Sequence, residues 1–152
     1  MKITYLANHP EHVSTVAKWI FDEWGHESPG TTLESLEERF LSHLNRTAIP
    51  LTFLAMDEDR PLGTVSLVAH DMVDHQELSP WLSAMYVLPE HRGQGIGTKL
   101  VKSVELISAH LEVEQLFLFT PDCEAFYTRL NWTVQERTEY REKDIALMVK
   151  EI

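Results

Sequence analysis

The 152-residue sequence is short of several features that define whole classes of protein. A single cysteine, Cys123, excludes an internal disulfide framework and predicts a reducing, cytoplasmic setting. The longest apolar runs fall well below the roughly 20 residues of a membrane-spanning helix, so no membrane segment is expected. The opening MKITYLANHPEH lacks the charged-then-apolar order of a signal peptide, and none is expected. Basic residues are scarce, 13 against 24 acidic, for a formal net charge of -11. Such a surface repels phosphate backbones, which argues against a nucleic-acid partner and suits cationic acceptors such as amines. Acidity of this kind also serves solubility alone. No repeat, low-complexity tract or linker interrupts the chain, so one domain over residues 1–152 is expected.

What is present is a regular alternation of elements. Residues 2–6 form a short strand candidate. Val13, Val16, Ala17, Ile20, Phe21 and Trp24 recur at helical spacing, and Gly25 follows as a stop. A second helix is predicted from Thr31 or Thr32, with Thr31 and Glu34 at capping-box spacing and Leu33, Leu36, Phe40 and Leu44 facing inward. Residues 51–56 and 62–69 flank a turn-rich connection and predict a hairpin. A polar loop with Asp71, Asp74, His75 and Glu77 leads to a strand at about residues 82–88. Residues 97–111 give the clearest helix, followed by an interior strand at 116–119, a short helix from Asp122, and strands near 132–136 and 145–149. The order predicts an α/β (α+β) fold: a mixed, mostly antiparallel sheet of six to seven strands with helices on both faces.

The informative segment is Met85, Tyr86, Val87, then Arg92, Gly93, Gln94, Gly95, Ile96, Gly97 and Thr98. A strand enters a turn with three alternating glycines, and an amphipathic helix follows at once. Glycine lets backbone approach a ligand at positive φ, and a helix start offers unpaired N–H groups at the positive end of its dipole. Together they predict a phosphate or pyrophosphate site, with Arg92 adding charge. A dinucleotide fingerprint fails because Thr98 stands where its third glycine belongs, and no G-x-x-x-x-G-K-[ST] loop occurs.

The run R-G-Q-G-I-G between that strand and Thr98-Lys99-Leu100-Val101 resembles the acetyl-coenzyme A motif of the GNAT superfamily, [Q/R]-x-x-G-x-[G/A]. The element order resembles the same fold along nearly the whole chain. The resemblance implies that backbone amides of residues 92–97, with Thr98, hold the cofactor's pyrophosphate. It implies too that Met85, Tyr86 and Val87 pair through their backbone with the pantetheine arm, in a gap where this strand splays from the one at 116–119. The activity implied is acetyl transfer from acetyl-coenzyme A to a primary amine of a small molecule or peptide. Homodimers are common in such a family.

Phe126-Tyr127 with Asn131-Trp132 resembles the family's next signature, F/L-Y-x-x-x-G-F/W. It implies that Tyr127 protonates the departing coenzyme A thiolate, packing against the arm being the alternative role. Asn131 departs from the usual glycine, but asparagine tolerates positive φ. The base that takes the amine's proton is not singled out. Glu23, His70, Asp71 and Asp122 are candidates, and Asp71 is favoured because its loop should border the acceptor side. Cys123 is expected to be a small buried packing residue rather than an acetyl carrier. His9 and His12 find no third ligand at metal spacing, so no metal site is expected and the histidines should be exposed. Trp19 and Trp24 are expected in the core, with Trp24 or Trp81 as candidate walls of the acceptor pocket.

Overall fold

The computed structural model describes all 152 residues. Its main elements run β1 (Lys2–Tyr5), α1 (Val13–Trp24), α2 (Leu33–Leu41), β2 (Leu51–Asp57), β3 (Arg60–Val68), β4 (Trp81–Val87), α3 (Ile96–His110), β5 (Gln115–Thr120), α4 (Glu124–Arg129), β6 (Thr133–Tyr140) and β7 (Lys143–Glu151). This is the expected order, element for element. The capping box differs from expectation. Thr32 Oγ1 accepts from Ser35 N–H and Ser35 Oγ accepts from Thr32 N–H, both at 3.0 Å, so the box is Thr32–Ser35 rather than Thr31–Glu34. A serine at the third helical position closes the box as well as a glutamate would.

The seven strands form one sheet in the order β1-β2-β3-β4-β5-β7-β6. Every neighbouring pair is antiparallel except β4 and β5, the two strands joined through α3. Alternation along each strand sends side chains to two faces. On one face α3, α4 and the turn after α4 pack Leu100, Val104, Tyr127 and Trp132 against Leu116, Leu118 and Leu67. Fully burying an aliphatic side chain of this size contributes roughly 1.5–3 kcal/mol, so this layer fixes α3 firmly to the sheet. On the opposite face α1 and α2 cover the first half of the sheet, with Ile20, Leu36 and Phe40 over Leu54 and Met56. Its second half is covered by the loop after β3, where Met72 packs on Trp81, Phe117, Tyr140 and Leu147. Helices and loop are separate covers, and a cleft opens between them.

Two irregularities of β4 shape that cleft. Thr64 pairs with Tyr86 and Ser66 with Ser83, so Ala84 and Met85 together oppose Val65. This is a β-bulge, and Ala84 takes up the extra residue at φ 54°. Beyond its first residue β4 also parts from β5: Trp81 pairs with Phe117, and no later pair forms.

Candidate active site

The separation of β4 from β5 leaves a V-shaped gap whose narrow end is closed by fully buried Trp81, its ring 5.8 Å from that of Phe117. Trp81 is therefore a hinge of the core and not a wall of an acceptor pocket. Along the open edge of β4, Met85 and Val87 pack toward α3, while Tyr86 lies between Trp19 and Trp24 of α1. With these side chains engaged in packing, the β4 edge offers its backbone to a ligand. Arg92 folds back over the end of this strand. Its Nε donates to Val87 O at 2.8 Å, and its guanidinium lies 5.4 Å from the Tyr86 ring centroid.

The turn after β4 is an open cradle. Gly93 and Gly95 have φ of 77° and 84°, and a Cβ built on either would meet no atom within 4 Å. Gly95 caps α3 without any side-chain bond, and the first turn of the helix closes with Lys99 N–H donating to Gly95 O at 3.2 Å. The amides of Ile96, Gly97 and Thr98 precede that bond and have no carbonyl partner within the helix. Gly97 has a different task. A Cβ there would sit 3.3 Å from Phe126 Cζ, so glycine lets α4 approach the start of α3.

That approach sets Tyr127 in the layer against which Met85 and Val87 of β4 pack. Tyr127 is 6% exposed, with its ring edge-on to Phe126 and Trp132. Burial first, and then the neighbouring Cys123 and Asp122, push its phenol well above the usual range, so it keeps its proton at neutral pH. Asn131 has φ 71°, the left-handed conformation in which it replaces glycine, and Trp132 N–H returns to Tyr127 O at 3.1 Å. Cys123 is exposed rather than buried, because it stands at the mouth of α4 rather than on its inner face. Its thiol donates to Asp122 Oδ1 at 3.3 Å, and the partial desolvation of the thiol and that carboxylate raise its pKa, which opposes a nucleophilic role.

On the opposite face, a cleft of about 450 Å³ lies between α2, the loop after β3 and the bulge of β4. Asp71 lines it, and Ser83 Oγ donates to Asp71 Oδ1 at 2.9 Å. Burial raises the Asp71 carboxyl from 3.8 to about 6, against the opposing effects of the Ser83 bond and of Arg141 and Arg39. His43 lines the same cleft and is only 4% exposed, against the expectation of exposed histidines. Its Nδ1 lies 2.9 Å from Thr52 Oγ1, which is 2.7 Å from Ser66 Oγ, and this chain satisfies an otherwise costly buried polar group. Burial, helped by Arg39, lowers His43 to about 4, so its imidazole is neutral at pH 7.

Residues 49–134, more than half of the chain, match the family model described as an acetyltransferase (GNAT) domain. The chain belongs to the GNAT acetyltransferase family. Among solved structures, an aminoglycoside 6'-N-acetyltransferase from Enterococcus faecium superposes with a TM-score of 0.76 at 18% identity, over 99% of this chain and 97% of that one. An aminoglycoside 6'-N-acetyltransferase complexed with coenzyme A gives 0.75 at 18%, with the same coverage. A GNAT-family acetyltransferase from Streptococcus pneumoniae gives 0.72 at 14%, over 99% of both chains. At such identities the likeness is one of fold. No curated protein matches by sequence.

Acetyl-coenzyme A is the family's acetyl donor, and this chain fits it. The cradle at Gly93 and Gly95 is unfilled, the α3 start lacks a side-chain cap, and β4 leaves β5 where a further extended chain would pair. Of the expected base candidates, His70 and Asp71 line the cleft, whereas Glu23 and Asp122 are exposed outside it. Trp24 also stays outside, packed on Tyr86. Arg39 and His43 at the end of α2, Ser83 of β4 and Arg141 of the β6–β7 turn join the cleft from three separate segments, and no local pattern in the sequence announces that those segments meet.

Proposed function

We propose that this GNAT domain transfers an acetyl group from acetyl-coenzyme A to a primary amine of a small molecule or peptide, the amine attacking directly. One observation carries the reading. On one face of β4, Ser83 holds the Asp71 carboxylate in the cleft, and on the other the phenol of Tyr127 is buried in the layer that packs Met85 and Val87. The cofactor, when bound, supplies the acetyl group as an activated thioester. The amides of residues 93–98 and the Arg92 guanidinium hold its pyrophosphate, and the β4 backbone at Met85, Tyr86 and Val87 orients its arm. The bulge at Ala84 and Met85 leaves backbone polar groups without a β3 partner beside the reacting centre.

Asp71 is the base. A carboxylate titrating near 6 is ionised at pH 7 and more basic than an ordinary aspartate, so it accepts a proton from an incoming ammonium group more readily. Its Oδ1 is fixed by Ser83, which leaves Oδ2 for the amine. Tyr127 holds its proton at Oη and is the acid that completes the transfer. The chain is to be incubated with acetyl-coenzyme A and a panel of primary amines, with free thiol as readout. Amine-dependent thiol release is expected. Cofactor binding with no release on any amine would leave a binding module instead of an enzyme.

A further inference from the structure

The whole-chain charge of -11 suits a cationic acceptor, but the cleft beside the bulge has the opposite character. Of the 24 acidic residues only Asp71 lines it, against the two guanidinium groups of Arg39 and Arg141. Neither arginine has an ion-pair partner in a chain with nearly twice as many acids as bases. Both line the cleft that holds Asp71, and both charges act to lower its pKa. Arg39 comes from the last turn of α2 and Arg141 from the tip of the β6–β7 hairpin.

The hairpin tip is held in place. Next to Arg141, Tyr140 Oη accepts from Val73 N–H at 3.3 Å, which ties the hairpin to the loop carrying Asp71. Two residues further on, Lys143 pairs with Glu27 just past α1, which joins the hairpin to the helical cover. The guanidinium itself lies 4.9 Å from the centroid of the Tyr140 ring. Between the charges and the polar His43, Ser66 and Ser83, the lining includes the apolar side chains of Ile20, Phe40, Val68, Met72 and Ala84.

We infer that the acceptor is a small amine bearing an anionic group, carboxylate or phosphate, a few atoms from its nitrogen, with an apolar body of about amino-acid or dipeptide size. Arg39 and Arg141 take the anion, the apolar lining takes the body, and Asp71 receives the amine. Guanidinium groups suit this task because their forked donors match carboxylate and phosphate oxygens. A polycation would meet two unpaired positive charges at the entrance. This inference rests on the transferase reading above and narrows its acceptor.

The test uses matched acceptors with acetyl-coenzyme A and thiol release as readout: phenylalanine against phenethylamine, phosphoethanolamine against ethanolamine, and kanamycin as a polycation. The anionic member of at least one pair is expected to have kcat/KM about tenfold or more above its partner, and to exceed kanamycin. The pair with the larger ratio identifies carboxylate or phosphate as the anion. Arg39→Gln and Arg141→Gln should each bring that ratio close to one through the acceptor KM while leaving the donor KM unchanged. Inorganic phosphate should inhibit the wild type competitively against the acceptor and inhibit the variants less. Thiol release that favours kanamycin or the uncharged-tail amines would overturn the anionic acceptor while preserving the transferase. Coenzyme A binding without thiol release on any acceptor would overturn the transferase reading itself.

Discussion

The two halves of this site are built from different material. The donor half is made of consecutive residues and works through main chain: a strand edge, two glycines at positive φ and the uncapped start of a helix. The acceptor half is made of side chains from α2, β3, β4, the loop after β3 and the β6–β7 hairpin. A backbone site of contiguous residues tolerates variation around it and keeps a readable motif. A side-chain site assembled across the fold can change its chemistry one residue at a time without disturbing the sheet. Donor and acceptor should therefore be separable by mutation.

The largest effect is expected at the base. Asp71→Asn should lower kcat/KM by about a thousandfold, within the range for removing general acid–base catalysis. It should also remove a rising limb near pH 6 from the pH dependence of kcat/KM, where the wild-type carboxylate titrates. Coenzyme A affinity, measured by calorimetry, should be unchanged. A loss of donor affinity of comparable size would join the two halves and break the comparison.

The reciprocal change is Gly95→Val. The added side chain meets nothing within 4 Å, so the fold should survive with about 1–3 kcal/mol of backbone strain at φ 84°. The side chain would fill the cradle from which the amides must reach a pyrophosphate. We expect coenzyme A affinity to fall about a hundredfold, with phosphate inhibition at the acceptor cleft unaltered. Between the halves stands Tyr127. Tyr127→Phe keeps the ring packing against Phe126 and Trp132 and deletes only the hydroxyl. A drop of about tenfold or more in kcat with unchanged donor affinity is expected, and full turnover in this variant would reject the acid role.

How legible each half was in the sequence follows from the same difference. The strand at residues 85–87, the turn at 92–97 and the helix behind it could be read because their chemistry depends on local order. The sheet was legible too, since alternation and turn residues fix strands locally, and all eleven main elements came out in sequence. The bulge at Ala84 was not, because alanine at φ 54° carries no compositional sign. Asp71 could be placed near the acceptor side by the position of its loop. Arg39 and Arg141 could not, since they are 102 positions apart and meet only when the sheet is complete. The burial of one histidine was hidden for a related reason. His43 follows a helix end, where exposure is usual, and only the Thr52–Ser66 pair shows why burial is tolerated.

The smallest expected effect is on stability, and it separates two groups in the one cleft. The folded-state pKa of Asp71 is raised from 3.8 to about 6, so its contribution is fully present below pH 3.8 and is lost as pH rises through 6. His43 is lowered from 6.5 to about 4, so its contribution is fully present above pH 6.5 and is lost as pH falls toward 4. Between pH 4 and 6 the two slopes oppose each other, and the wild type should show little net change from this pair. Displacing a pKa by one pH unit corresponds to about 1.4 kcal/mol, so removing one group should expose a slope of about 1–2 kcal/mol across the window. Asp71→Asn should be more stable than wild type at pH 7.5 and should lose stability on acidification to pH 4.5, as His43 alone dictates. His43→Gln should be less stable at pH 7.5, having lost its bond to Thr52, and should gain stability on acidification. Urea midpoints at the two pH values for the three proteins provide the check. A loss of stability on acidification in His43→Gln would mean that Asp71 does not titrate in the folded cleft as its burial requires, which would remove the pH 6 base from the acceptor half.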